Sequence, residues 1–155
     1  MTMLTFDNRE RIRRARIARI ATVSASGRPS VNPLYYTVRH DELWLGTPTW
    51  TLAARNCSVN SSVQLLIDSR LHGVTTTLRV VGRARVLTDR QSVRAYNWAA
   101  AVKYVVRPRN LANSLVHRHQ LSMRRDYHRQ SAERGPSAVI AVSVESIEEL
   151  GASPS

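Results

Sequence analysis

The sequence predicts a mainly β protein of the α+β class: an antiparallel barrel of six to seven strands, with a helix at its amino terminus and two helices before its last strand. Three observations carry this. Short β-branched runs separated by turn residues recur from Arg19 to Leu87. Helical composition dominates from Arg90 to about Glu133, and a final β-branched run, Ala138–Val144, must find partners further back in the chain.

The first strand, Arg19–Ala25, alternates and closes at Ser26-Gly27, where glycine turns without steric cost. Pro29–Val38 follows as the second, with Val31, Pro33 and Tyr35 on one face and Asn32, Leu34, Tyr36 and Val38 on the other. Pro33 donates no backbone N–H, so this strand should have a free edge or a bulge there. His40-Asp41-Glu42 reads as a polar turn into the third strand, Leu43–Thr47, and Gly46 marks a place where something approaches the backbone closely. Gly46 to Thr51 is therefore the first stretch in which to look for a ligand.

Ser62–Asp68 reads as a buried strand, Leu71-His72-Gly73 as its turn, and Val74–Leu87 as one long strand that Gly82 bends or bulges, giving a meander. Asp89 is the cap expected for a helix from Arg90 to Val106, whose aromatics Tyr96, Trp98 and Tyr104 are suited to packing on the barrel or at a subunit interface, or else to forming a lid over a planar ligand. Pro108 restarts the chain. A second helix, with Leu111, Leu115 and Leu121 on its apolar face, is expected to end at Gly135-Pro136; its His117, His119 and His128 read as polar surface residues. Residues 1–145 are expected to form one domain and 146–155 a frayed tail.

The chain has 155 residues and no apolar run of membrane-spanning length, and Met1–Arg19 lacks the apolar centre of a signal peptide. A cytoplasmic protein that binds no membrane is the resulting expectation. Cys57 stands alone, excludes an intramolecular disulfide, and reads as a small buried side chain. The formal charge of +12 sets 22 arginines and one lysine, Lys103, against 11 acidic residues, and the arginine bias fits a high-GC genome. These arginines are spread along the chain, and no helix-turn-helix, zinc-finger or ribonucleoprotein signature accompanies them. Specific nucleic-acid binding is not expected; a cationic cleft for an anionic cofactor or substrate, or a solvated basic surface, remains. No catalytic triad, metal motif or phosphate-loop glycine pattern is present.

The order of elements, together with Gly27-Arg28-Pro29, Asn32-Pro33-Leu34-Tyr35, Gly46-Thr47, Arg55-Asn56 and Leu78–Arg83, resembles the FMN- and deazaflavin-binding split barrels related to pyridoxamine 5'-phosphate oxidase, especially the short actinobacterial reductases. The resemblance covers roughly Arg19 to Leu87. It implies a homodimer with the cofactor at the subunit interface: the ring against Asn32, Pro33, Leu34 and Tyr35, the phosphate near Gly46, Thr47, Thr51, Leu52, Ala53 and Arg55, and Thr77 with Arg79 reaching the cofactor of the other subunit. Where the family usually has a phosphate-binding lysine this chain has Ala53, where the oxidases often have a cation it has Leu52, and where they have a glutamine it has Thr77. Arg55 and Arg28 are the candidates to replace the missing charge.

The implied function is a flavin- or deazaflavin-dependent oxidoreductase passing hydride to a conjugated small-molecule substrate, since such a cofactor carries the chemistry itself. Between FMN and the deazaflavin coenzyme F-420 the resemblance slightly favours the latter, whose acidic tail suits an arginine-rich cleft. Two alternatives stay open: a haem- or tetrapyrrole-binding split barrel, and a barrel that has lost its flavin and works as a binding protein or an enzyme of unrelated chemistry.

Overall fold

Turn residues that accept left-handed backbone set the barrel's hairpins. His40 and Asp41, at φ 49° and 63°, join strands β2 (Pro29–Arg39) and β3 (Glu42–Pro48). His72 and Gly73, at φ 52° and 81°, join β4 (Ser62–Leu71) and β5 (Val74–Leu87). Positive φ at both central positions gives the turn whose twist matches that of the flanking strands. The computed structural model describes residues 5–105 and 135–154. The helix expected from Pro108 to Glu133, with His117, His119 and His128, lies outside these residues.

The remaining elements are α1 (Phe6–Arg14), β1 (Ile17–Val23), α2 (Leu52–Val59), α3 (Arg90–Tyr104) and β6 (Ser137–Pro154). The strands close into an antiparallel barrel in the order β1-β2-β3-β6-β5-β4. This six-stranded α+β barrel is of the expected class, but it is not the expected meander. Strand β6 inserts between β3 and β5, and β4 returns to pair with β1. The reason lies in the connection from β3 to β4, which is no hairpin but α2, whose Ala53, Ala54, Asn56 and Cys57 are buried.

Residues from Ser146 onward, expected to fray, continue β6 as far as Pro154 against β5. Glu145 and Glu148 pair across the strands with Arg83 and Arg79, which gives this acidic stretch partners. Register shifts at Val81/Gly82 and Thr76/Leu78 keep so long a pairing in step with barrel curvature. Gly82 stands at the first of these, where a Cβ would overlap the Ser143 carbonyl oxygen.

The barrel interior is filled by Ile20, Tyr36, Leu45, Leu65, Ile67, Leu78, Val80, Ile140 and Val142, all fully buried. Each such side chain contributes roughly 1.5–3 kcal/mol of hydrophobic stabilisation. Helix α1 is fastened by buried Ile12, whose carbonyl accepts the Tyr36 hydroxyl at 2.5 Å. Helix α2 is tied to the first hairpin by a buried polar knot: Asn56 Nδ2 donates to Thr22 Oγ1 at 3.0 Å and Ser30 Oγ at 3.2 Å, and the two hydroxyls meet at 3.0 Å.

Strand β2 changes partner in mid-course. Residues 29–35 pair with β1, whereas pairing with β3 runs only from Tyr36 to Arg39. Up to Tyr35 the β3-facing edge is thus without a strand partner among the described residues, as Pro33 anticipates.

Candidate cofactor site

Helix α3 fills the gap that this partner switch leaves. The Tyr96 hydroxyl donates to the Tyr35 carbonyl at 3.2 Å while its ring packs against Gly46, bridging β2 and β3 just beyond their last rung. Burial pushes this phenol up to about 12. On the other side of β2, the Tyr104 hydroxyl accepts the Tyr36 amide at 3.2 Å and shares its proton between the carbonyls of Tyr36 and Arg16, at 2.6 and 2.7 Å. Lys103 Nζ donates to the same Tyr36 carbonyl at 3.1 Å and lies over the Tyr36 ring. Tyr96 and Tyr104 therefore pack on the barrel, one of the roles expected for them.

Gly46 changes meaning in this light. The group that approaches its backbone closely is the Tyr96 ring, which a Cβ at this position would overlap. The expected ligand approach there is filled from within the chain.

At the corner between β3 and α2, Thr51 caps the helix by accepting the Ala54 amide at 3.3 Å. Its hydroxyl donates to the Pro48 carbonyl at 3.0 Å and meets Thr47 Oγ1 at 2.8 Å. One proton and two lone pairs are thereby all in use. Ala53 is 1% exposed within the barrel core and offers no surface to a phosphate. Leu52 is 54% exposed. Arg55 is exposed and has no ion-pair partner among the described residues. Cys57 is buried, and burial pushes its thiol up to about 11, away from the reactive thiolate.

The motif on β2 divides between two faces. Leu34 packs against the core and Asn32 holds a buried Oδ1 without a hydrogen-bond partner among the described residues, while Pro33 and Tyr35 point outward beside Val31. Thr77 and Arg79 point outward too, but from β5. Thr77 donates to Asp68 Oδ1 at 2.6 Å and Arg79 pairs with Glu148. The register sets Pro33, Arg19, Leu66 and Arg79 in one row across β2, β1, β4 and β5. Three strand spacings separate its ends, roughly 14 Å. Within one chain the two halves of the expected site share a face without meeting.

The sequence pattern described as pyridoxamine 5'-phosphate oxidase matches residues 4–151. The chain belongs to this family. Solved structures with the same oxidase-like fold include a conserved hypothetical protein from Mycobacterium tuberculosis, 14% identical, with a TM-score of 0.68 over 95% of this chain and 84% of that one. A protein from Mesorhizobium loti described as FAD-binding is 19% identical, with a TM-score of 0.64 over 95% and 94% of the two chains. A reductase of coenzyme F-420 is 15% identical, with a TM-score of 0.58 over 90% and 94%. No curated protein sequence matches the chain. Identities this low carry the split-barrel fold of the oxidase family and nothing finer.

Proposed function

We propose that this protein is a cytoplasmic oxidoreductase of the oxidase family that holds FMN or coenzyme F-420 between two copies of the chain and passes hydride to a conjugated small organic substrate. The observation that carries the reading is the exposed outward face of β1 and β2. Val31 is 61% exposed, Tyr35 45% and Ile17 45%, an apolar strip beside the row that ends at Arg79. A second copy laid across this face would cover it and bring its own Thr77 and Arg79 towards the β2 strip, the distance one chain alone does not span. The fold shared with an FAD-binding protein and an F-420 reductase supports the same reading.

The residues present fit the ring better than the usual phosphate clamp. Val31, Pro33 and Tyr35 offer a flat outward strip, whereas Ala53 is in the core and Thr51 is committed to its cap, leaving Arg55 as the cation at α2. The bound cofactor would supply the hydride, and the chain its orientation and exclusion of water. F-420 is favoured slightly because its acidic tail suits a chain of charge +12.

The test pairs light scattering at micromolar concentration with fluorescence titrations of FMN, FAD and F-420. A dimer that binds one cofactor per chain is expected, and Val31→Glu should weaken dimer and binding together. A monomer removes the shared site; a dimer that binds none of the three removes the redox reading.

A further inference from the structure

Helix α3 turns a second set of side chains away from the barrel. Val93, Tyr96 and Ala100 pack over Trp44, Val139 and Ala141 of β3 and β6, and Tyr104 clasps β2. At about 100° per residue, Arg94, Trp98, Val102 and Val105 fall within roughly 80° of one another on the opposite side, with Arg90 at their flank. Trp98 is 75% exposed, Val105 54% and Val102 46%, so the third aromatic of this helix does not share the packing of Tyr96 and Tyr104. Arg90 and Arg94 are exposed and have no ion-pair partner among the described residues.

Water-facing apolar side chains gain free energy when a surface covers them, and the shape and charge of the stripe select that surface. It is a ridge of roughly 17 Å from Arg94 to Val105, and a single helix face is convex where small-ligand sites are concave. A folded partner would need a groove matched to the ridge, whereas a fluid bilayer shapes itself to it. The unpaired arginines, in a chain of charge +12, call for an anionic surface. Tryptophan, with an apolar body and a polar N–H, settles at the boundary between headgroups and acyl chains. No helix among the described residues is long and apolar enough to cross a membrane, so the contact is with the surface. The expectation of no membrane contact rested on the missing span, which does not bear on a helix lying flat.

We propose that the outward face of α3 docks this protein on an anionic phospholipid surface, with Trp98, Val102 and Val105 entering the headgroup boundary and Arg90 and Arg94 against lipid phosphates. The stripe shares no residue with the β1–β2 face assigned to a second copy, and docking does not require a flavin to be bound.

The test floats the full chain with vesicles of phosphatidylcholine mixed with phosphatidylglycerol and, separately, with vesicles of phosphatidylcholine alone. Binding to the mixed vesicles with a blue shift of tryptophan emission is expected, and weaker binding to the neutral ones. Trp98→Phe should bind within about twofold while losing most of the shift, which places Trp98 rather than Trp44 or Trp50 in the lipid. Trp98→Ala/Val102→Ala and Arg90→Ala/Arg94→Ala should each weaken binding about tenfold or more. The control is Arg13→Ala/Arg70→Ala, which removes the same charge at exposed positions of α1 and β4 and should leave binding within about twofold. Thermal melts of every variant should match the parent, because each change touches an exposed side chain. No binding to the mixed vesicles, equal binding to the neutral ones, an undiminished shift in Trp98→Phe or equal loss in the control overturns the proposal. So does a fall in subunit number for Trp98→Ala/Val102→Ala in light scattering without lipid, which would assign the stripe to contact between copies.

Discussion

The ring of Tyr96 occupies the space that a side chain at Gly46 would need, and the Tyr96 hydroxyl donates to the Tyr35 carbonyl on the neighbouring strand. One residue of α3 thus both stands between β2 and β3 and gives the Tyr35 carbonyl a donor where the strands no longer pair. Gly46→Ala should cost about 1–3 kcal/mol through overpacking against a well-held ring. Tyr96→Phe, which keeps the ring, should cost nearer 1 kcal/mol. Urea unfolding of both, and of Gly46→Ala/Tyr96→Ala, checks the pairing. The double variant should be more stable than the sum of its parts predicts, because Tyr96→Ala removes the group that a Cβ at position 46 strikes.

Glu42 should govern acid stability at the β2–β3 hairpin. Arg85 binds both of its carboxylate oxygens, at 2.5 and 2.9 Å, while Trp44 Nε1 and Ser143 Oγ donate at 3.1 and 3.0 Å. These contacts, the Arg85 hydrogen bonds first, lower its acid from 4.5 to about 2. A depressed acid stabilises the fold above its ordinary value and loses that contribution as pH falls towards the depressed one. Thermal melts from pH 5 down to pH 2 should therefore show a stability decline that is shallower in Glu42→Gln, which starts lower by about 1–3 kcal/mol.

Ala53 and Leu52 make a contrasting pair on α2. Lysine at position 53 must carry its stem into the barrel core and should destabilise the protein by several kcal/mol. Lysine at exposed position 52 should change stability by less than about 0.5 kcal/mol. Equal tolerance of both in calorimetric melts would contradict the placement of α2.

Asn56→Ala should loosen the plug formed by α2. Thr22 and Ser30 keep their mutual contact, but each loses a buried donor, a cost of about 1–3 kcal/mol. Asn56→Leu, of similar size, should do no better, because the hydroxyls remain without the donor. Chemical denaturation measures both.

Much of the barrel was legible in local signals. His72-Gly73 and His40-Asp41 marked hairpins because left-handed turns have a narrow residue vocabulary, and Gly82 announced a bulge that is present. What escaped were relationships between distant residues. Nothing near Gly46 shows that its occupant is Tyr96, fifty positions later, and nothing near Ser146 shows that Glu148 will meet Arg79. The strand order escaped for the same reason, since β6 chooses partners far back in sequence. At the candidate site, residue types on β2 and α2 were readable. Which of them face inward was not, because Ala53 is apolar enough for either side and only packing decides.

The clasp of Tyr104 on Tyr36 gives the barrel a built-in reporter. The Tyr36 amide is held by a helix side chain at a point where strand pairing changes hands. Its exchange with solvent deuterium therefore follows the docking of α3 rather than the opening of the sheet. Should α3 lift away while the barrel stays closed, this amide would exchange early and Leu45, in the core of β3, would not. Comparing the two protons in one native-state experiment separates motion of the helix from unfolding of the barrel beneath it.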